Sequence, residues 1–110
     1  MKSVQQLDVF KLAHELALKI YRITIRFPRE ENLSLVSQMR RAASSVGMNL
    51  VEGSMRLSKR EYRQFVGIAR GSAAEVSYKL LPARDLGYIS KEDYDDLGRA
   101  FRESDKCLLD

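Results

Sequence analysis

The sequence predicts an all-α protein, an antiparallel up-down-up-down four-helix bundle built as one domain over residues 1–110. Three observations predict it. Apolar residues recur at alternating intervals of four and three along three long stretches, the period of a helix face in a bundle. The connections between these stretches are short, which makes sequential helices antiparallel neighbours. There is no strand signal of consequence.

Helix one is expected over about residues 8–27, where Val9, Ala13, Leu16, Ile20, Ile23 and Phe27 form the seam. Twelve of these twenty residues are apolar, Phe10, Leu12, Ala17, Leu18, Tyr21 and Ile25 lying outside the strict seam. Such width calls either for a second buried face, hence an oligomer, or for a two-sided core within one chain. Pro28 ends the helix, because proline disfavours the helical conformation of the residue before it, and Arg29 to Asn32 form a polar loop.

Helix two is expected over about residues 34–56, with Ser34 capping its first free amides. Met39, Ala42, Val46, Asn49 and Gly53 lie on one face that is small or polar for most of its length, so this helix must sit close to its neighbours. Gln38, Arg41, Ser45, Glu52 and Arg56 carry charge along its flank. Gly47 and Gly53 each cost about 1 kcal/mol relative to alanine in a helix interior, which points to close packing.

Ser58-Lys59-Arg60-Glu61 has the form of a capping box and opens helix three, expected over about residues 59–87 after a turn of one or two residues. Tyr62, Val66, Ala69, Ala73, Val76, Leu80, Ala83 and Gly87 hold its seam. A hairpin folded at residue 57 or 58 sets Ala42–Gly47 opposite Ile68–Ala73, small residues against small. Gly67 and Gly71 then read as a device for close backbone approach, and Gly71→Leu is expected to disrupt the hairpin. Pro82 predicts a kink rather than an end, and Gly87 a left-handed cap. Helix four, about residues 91–108, starts at Ser90 and carries a weaker seam of Leu97, Phe101, Cys107 and Leu108.

Composition narrows the function classes. The chain is 45% hydrophobic and 31% charged, with a net charge of +4. Seven basic residues stand against two acidic ones between Arg40 and Arg70, so positive potential concentrates mid-chain. No apolar run approaches the roughly 20 residues of a membrane span, and the N-terminus lacks the apolar block of a secretory signal, so no membrane association and a cytoplasmic location are expected. One cysteine and one histidine make no zinc set, and the Glu-x-x-His motifs of a carboxylate-bridged metal centre do not occur. No metal or cofactor is expected, and no enzymatic activity.

The basic candidates are Arg40, Arg41, Arg56, Lys59, Arg60, Arg63 and Arg70. Lys59, Arg63 and Arg70 share one flank of helix three, and repetition by symmetry in an oligomer would make a large surface for RNA or DNA phosphates. The alternative is a solvated face with weak pairs such as Glu52 with Arg56. Asn49, Glu52 and Glu75 sit in or beside helix seams and form the candidate buried polar network, with Arg41, Arg56 and Arg70 as partners. His14 and the Tyr94-Asp95-Asp96 triplet read as surface, Ser44 and Ser45 lack an activating base, and Cys107 reads as a small core residue.

The blocks FP-x-E-E (27–31), SQ-x-RRAA-S-S-x-x-x-N-x-x-EG (37–53), R-x-S-x-x-E-Y-x-x-F (56–65), IARGS-x-x-E (68–75) and LGYI (86–89) occur in order. In them the chain resembles the bacterial four-helix-bundle family named for the 23S rRNA intervening sequence. It departs from that pattern at Ser34, Gly47 and Pro82. The resemblance implies a ring-like homo-oligomer, commonly a pentamer. It also implies a relation to the basic accessory proteins of diversity-generating retroelements, which bind nucleic acid and a reverse transcriptase. The sequence reading is therefore a non-enzymatic homo-oligomer that binds RNA or DNA phosphates. Its rival is an assembly module or protein-partner adaptor, with a reverse-transcriptase-like protein as one possible partner.

Overall fold

Ser3 starts the first helix earlier than its apolar seam does. Its hydroxyl accepts from the Gln6 amide, and α1 runs Val4–Thr24 in the computed structural model, which describes residues 1–109. The seam places Ala13, Leu16 and Ile20 in the core. The helix stops before Pro28 because its last bonds tighten to the i−3 carbonyl, Ile25 to Arg22 and Phe27 to Thr24. That turn swings Phe27 inward onto Tyr88, ring centroids 5.2 Å apart. The loop beyond Pro28 is a 3-10 turn, Arg29–Glu31.

Helix α2 is Leu35–Ser54. Ser34 does not cap it as expected: its hydroxyl donates to the Glu31 carboxylate at 2.6 Å, because that acceptor lies within reach and is charged. Val36, Met39, Ala42, Ala43, Val46 and Leu50 supply its buried face. Helix α3, Lys59–Asp85, begins as the capping box predicts, Ser58 accepting from the Glu61 amide at 3.1 Å. The helix continues past Pro82 and ends on Gly87, φ +80°. The Tyr88 amide bonds the Ala83 carbonyl and the Gly87 amide that of Arg84, the paired bonds of a Schellman termination. Helix α4 is Lys91–Leu109. Its inward face is Leu97, Phe101, Ser104 and Leu108, whereas Cys107, expected inside, is exposed because it lies one residue, about 100°, off that face.

Each helix packs on its two sequence-cyclic neighbours, α1 on α2 and α4, and α3 on α2 and α4, with α2 and α3 the most intimate pair. Antiparallel order follows from the contacts. Ser45 meets Ser72 at 2.9 Å, Arg70 meets Asp105, and the Lys2 ammonium donates to the Arg56 carbonyl. One hydrophobic cluster fills the centre, with Ile20, Met39, Leu50, Val76 and Leu80 fully enclosed. The bundle measures 44 × 25 × 17 Å.

The glycines divide in two. A Cβ on Gly53 would stand 2.8 Å from the Phe65 Cβ, and one on Gly47 would touch the Phe10 ring at 3.5 Å, so close packing holds there. A Cβ on Gly67 or Gly71 would meet nothing within 4 Å. These two are not a backbone-approach device within the chain, and Gly71→Leu does not collide with α2 as the spacing led us to expect.

Candidate nucleic-acid interface

The seven basic candidates separate by their partners. Arg40 is structural: its Nε donates to the Thr24 hydroxyl at 2.9 Å and its Nη2 to the Tyr21 carbonyl at 3.0 Å, with the guanidinium 4.9 Å from the Tyr21 ring centroid. It satisfies the Tyr21 carbonyl near the end of α1 and welds that end to α2. The buried Thr24, whose hydroxyl also donates to the Ile20 carbonyl at 2.7 Å, completes this joint. Nothing in local sequence marks Thr24, because its partner is sixteen residues away.

Arg56 is also engaged. It pairs with Glu52, lies 4.0 Å from Glu61, and stacks 4.8 Å from the Phe65 centroid with its Nε buried. Arg70 bridges to α4, donating Nε to Asp105 Oδ1 at 2.7 Å and Nη2 to Oδ2 at 3.3 Å. The two-pronged bond holds the Asp105 carboxyl below its ordinary range and pushes the guanidinium up. Arg41 is exposed and makes only a 3.4 Å bond to Ser37.

Lys59, Arg60 and Arg63 differ from these. All three are exposed on the first turns of α3, and none takes part in the ion pairs among the described residues. Lys2, brought alongside by its bond to Arg56, adds a fourth cation to this end of the bundle. Only the antiparallel fold places it there, so local sequence gave no sign of it.

The buried polar network does not assemble as expected. Asn49 is half-buried and donates Nδ2 to the Ser45 carbonyl at 2.8 Å and to its hydroxyl at 3.0 Å, and Ser45 in turn meets Ser72. Glu52 and Glu75 are exposed. With Ser45 opposite Ser72, Glu75 stands level with Ala42, ten residues or about 15 Å along the bundle from Glu52. The seam network is therefore Asn49, Ser45 and Ser72, neutral and hydroxyl-based, and Arg41, Arg56 and Arg70 are not part of it.

A second surface lies between α1 and α2. Phe10, His14, Leu18, Tyr21, Met48 and Val51 line an open, mainly apolar groove of about 640 Å³. His14 is exposed as expected and lies near-parallel to Phe10, centroids 6.1 Å apart. Leu18, Tyr21, Met48 and Val51 are exposed, so the outer half of α1 is not covered within the chain. A two-sided core inside one protomer is thereby excluded for these residues.

Elsewhere, Glu31 accepts from Ser34 and, at 2.7 Å, from the Tyr88 hydroxyl, tying the α1–α2 loop to the α3–α4 loop. Those bonds, Ser34 first, hold its carboxyl low, and the carboxylate pushes the Tyr88 phenol up. Asp95 and Asp96 are exposed, and Tyr94 lies under Arg84 at 4.6 Å. Among the described residues no three His, Cys, Asp or Glu side chains gather as a metal requires, and no helix is long and apolar enough to cross a membrane.

Comparison with known proteins gives two findings. Residues 5–109 match the family model described as 23S rRNA-intervening sequence protein. A crystal structure of a protein of unknown function from the S23 ribosomal protein family of Bacteroides thetaiotaomicron VPI-5482 superposes with a TM-score of 0.86. It is 22% identical, over 96% of each chain, and so shares the fold. No curated protein matches the sequence.

Proposed function

The chain belongs to the 23S rRNA-intervening sequence protein family, and from that premise we propose that it is a non-enzymatic, cytoplasmic homo-oligomer that binds RNA or DNA through phosphates. The observation that carries the reading is the contrast among its cations. Arg40, Arg56 and Arg70 are held by bonds within the chain, while Lys59, Arg60 and Arg63 stand exposed at one end of the bundle, without ion-pair partners among the described residues. Cations not neutralised internally raise the local potential and can replace the counterions of a phosphate chain. Exposed aromatics are absent from these first turns, since Tyr62 and Phe65 are half-buried, so contact to phosphates without reading of bases fits best.

The apolar α1/α2 groove supports the oligomeric part. A continuous uncovered apolar surface marks an interaction site, and a second copy is the occupant that the resemblance favours, with five copies as the expected ring. The same groove favours the second reading, an assembly module or adaptor for a protein such as a polymerase.

Binding of a mixed-sequence RNA, followed by light-scattering mass at low and moderate salt, separates the two. A discrete oligomer that gains mass with RNA and releases it as salt rises supports the proposal. The variant with Lys59→Glu, Arg60→Glu and Arg63→Glu should keep its helicity and mass and lose RNA. If it binds as well as the parent, the assigned surface is wrong.

A further inference from the structure

We propose that the groove between α3 and α4 holds a single nucleic-acid strand, as a continuation of the basic end of the bundle. This inference rests on the phosphate-binding reading above and names the strand class and its path. The groove has a volume of about 690 Å³ and carries Arg70, Arg102 and Lys106 against one carboxylate, Asp105. Asp105 is already neutralised by Arg70. Arg102 and Lys106 are exposed and take part in no ion pair among the described residues. The groove therefore keeps two uncompensated positive charges beside a floor of small and apolar residues.

Geometry sets these charges in line. With Arg70 opposite Asp105 on antiparallel helices, Lys106 stands level with Ala69 and Arg102 with Ala73, about 6 Å apart along the axis. Arg63 and Lys59 extend the line from the same flank of α3. From Arg102 to Lys59 it spans fourteen residue levels, about 21 Å, long enough for several consecutive phosphates.

The floor explains why a strand can enter. Gly67 and Gly71 line the groove, and among the described residues no other packing group lies within 4 Å of where their Cβ atoms would be. Each is a poorer helix former than alanine, with no return from packing inside the chain. Their effect is to leave the trough open on either side of the Arg70–Asp105 bridge that spans it. Packed helices meet along a shallow furrow, to which a flexible single strand can conform while a stiff duplex meets it only along an edge. Phe101, the one aromatic in the lining, is buried at 4% exposure and offers no stacking face, so recognition runs through phosphates and tolerates any sequence.

The test is fluorescence anisotropy with a labelled mixed-sequence single-stranded RNA, the corresponding blunt duplex and poly-glutamate, over a range of salt. The parent should prefer the strand to the duplex. The pair Arg102→Glu with Lys106→Glu should remove two phosphate contacts, cutting strand affinity at least tenfold and the salt slope by roughly 1.4, two contacts at about 0.7 each. Gly67→Leu with Gly71→Leu should fill the trough and weaken strand binding with the ion pairs untouched. Should the leucine variant misfold, the charge-reversed pair at exposed positions decides. Strand binding by the parent that neither variant changes overturns the groove and leaves the phosphate reading standing. Failure of the parent to bind any polynucleotide overturns both. Equal affinity for poly-glutamate assigns the groove to an acidic protein, and loss of oligomer mass in the leucine variant assigns it to a second copy. Either result overturns the inference.

Discussion

Helix α3 has two flanks that look alike in sequence and differ in physics. Toward α2 it presents Tyr62, Phe65 and Ser72 to Gly53 and Ser45, and the backbones close until a single Cβ on Gly53 would sit 2.8 Å from Phe65. Toward α4 it presents Gly67, Gly71 and Ala74, and over those glycines there is open space. On the first flank glycine is required by a neighbour. On the second it leaves room that nothing in the chain fills. A glycine in a helix thus signals that a side chain is unwelcome, but only the packing tells whether the excluding body is the protein itself.

The largest test of that difference is Gly53→Val. Its Cβ meets the Phe65 Cβ and the Tyr62 ring and backbone, groups with no flexible end to give way. Overpacking of this kind costs about 3 kcal/mol, and denaturant unfolding should show a correspondingly lower midpoint. An unchanged midpoint would mean that the α2–α3 contact relaxes freely, and the contrast between the flanks would fall. Gly71→Ala is the reciprocal experiment and should stabilise the protein by about 1 kcal/mol, because it gains helix propensity and meets nothing.

The cations carry the same contrast with an intermediate effect. Arg40→Ala removes two hydrogen bonds between α2 and the end of α1 and should cost about 2 kcal/mol. Arg63→Ala should leave thermal stability within about 0.5 kcal/mol, as an exposed site without partners does. Equal losses at the two positions would show that Arg63 has an internal role, and the division of arginines into structural and available would be wrong.

The fold was legible because its signals are local and repeated. The four-three seams of the first three helices, the Ser58 cap and the Gly87 cap depend on residues a few positions apart and hold in the structure, and the hairpin register follows within two residues, Ser45 meeting Ser72 where Arg70 was expected level with it. The candidate site was legible only as a count of charges. Arg40, Arg56 and Arg70 look as available in sequence as Arg63 does, because what occupies them is Thr24, Phe65 and Asp105, supplied by other segments or by the turn of a neighbouring helix. Asn49 is half-buried while Glu52 and Glu75 are exposed, since nearness to a seam does not fix which side of it a long side chain takes. Cys107 was misplaced for a related reason: a weak seam leaves the phase of a helix free by one residue, and Ser104 rather than Cys107 lies on the inward face.

Acid should produce the smallest effect, and it bears on the two bonds that tie loop to loop and α3 to α4. Glu31 and Asp105 both have carboxyls held below their ordinary values of 4.5 and 3.8, the first by Ser34 and Tyr88, the second by Arg70. A carboxyl whose folded value is depressed binds protons more readily when the chain is unfolded. Its contribution is therefore complete above the ordinary value and is lost as pH falls through the folded one. Stability should stay level from neutral pH to about 5 and then decline. Because both groups are solvent-accessible the slope should be shallow, and raised salt should flatten the Asp105 part more than the Glu31 part, which rests on neutral donors. Asp105→Asn should remove one share of the decline and Glu31→Gln the other. If Asp105→Asn leaves the acid limb unchanged, the Arg70 bridge is not maintained in solution. Arg70 would then join Arg102 and Lys106 as a third free cation on the α4-facing flank, and the two flanks of α3 would differ even more than the structure shows.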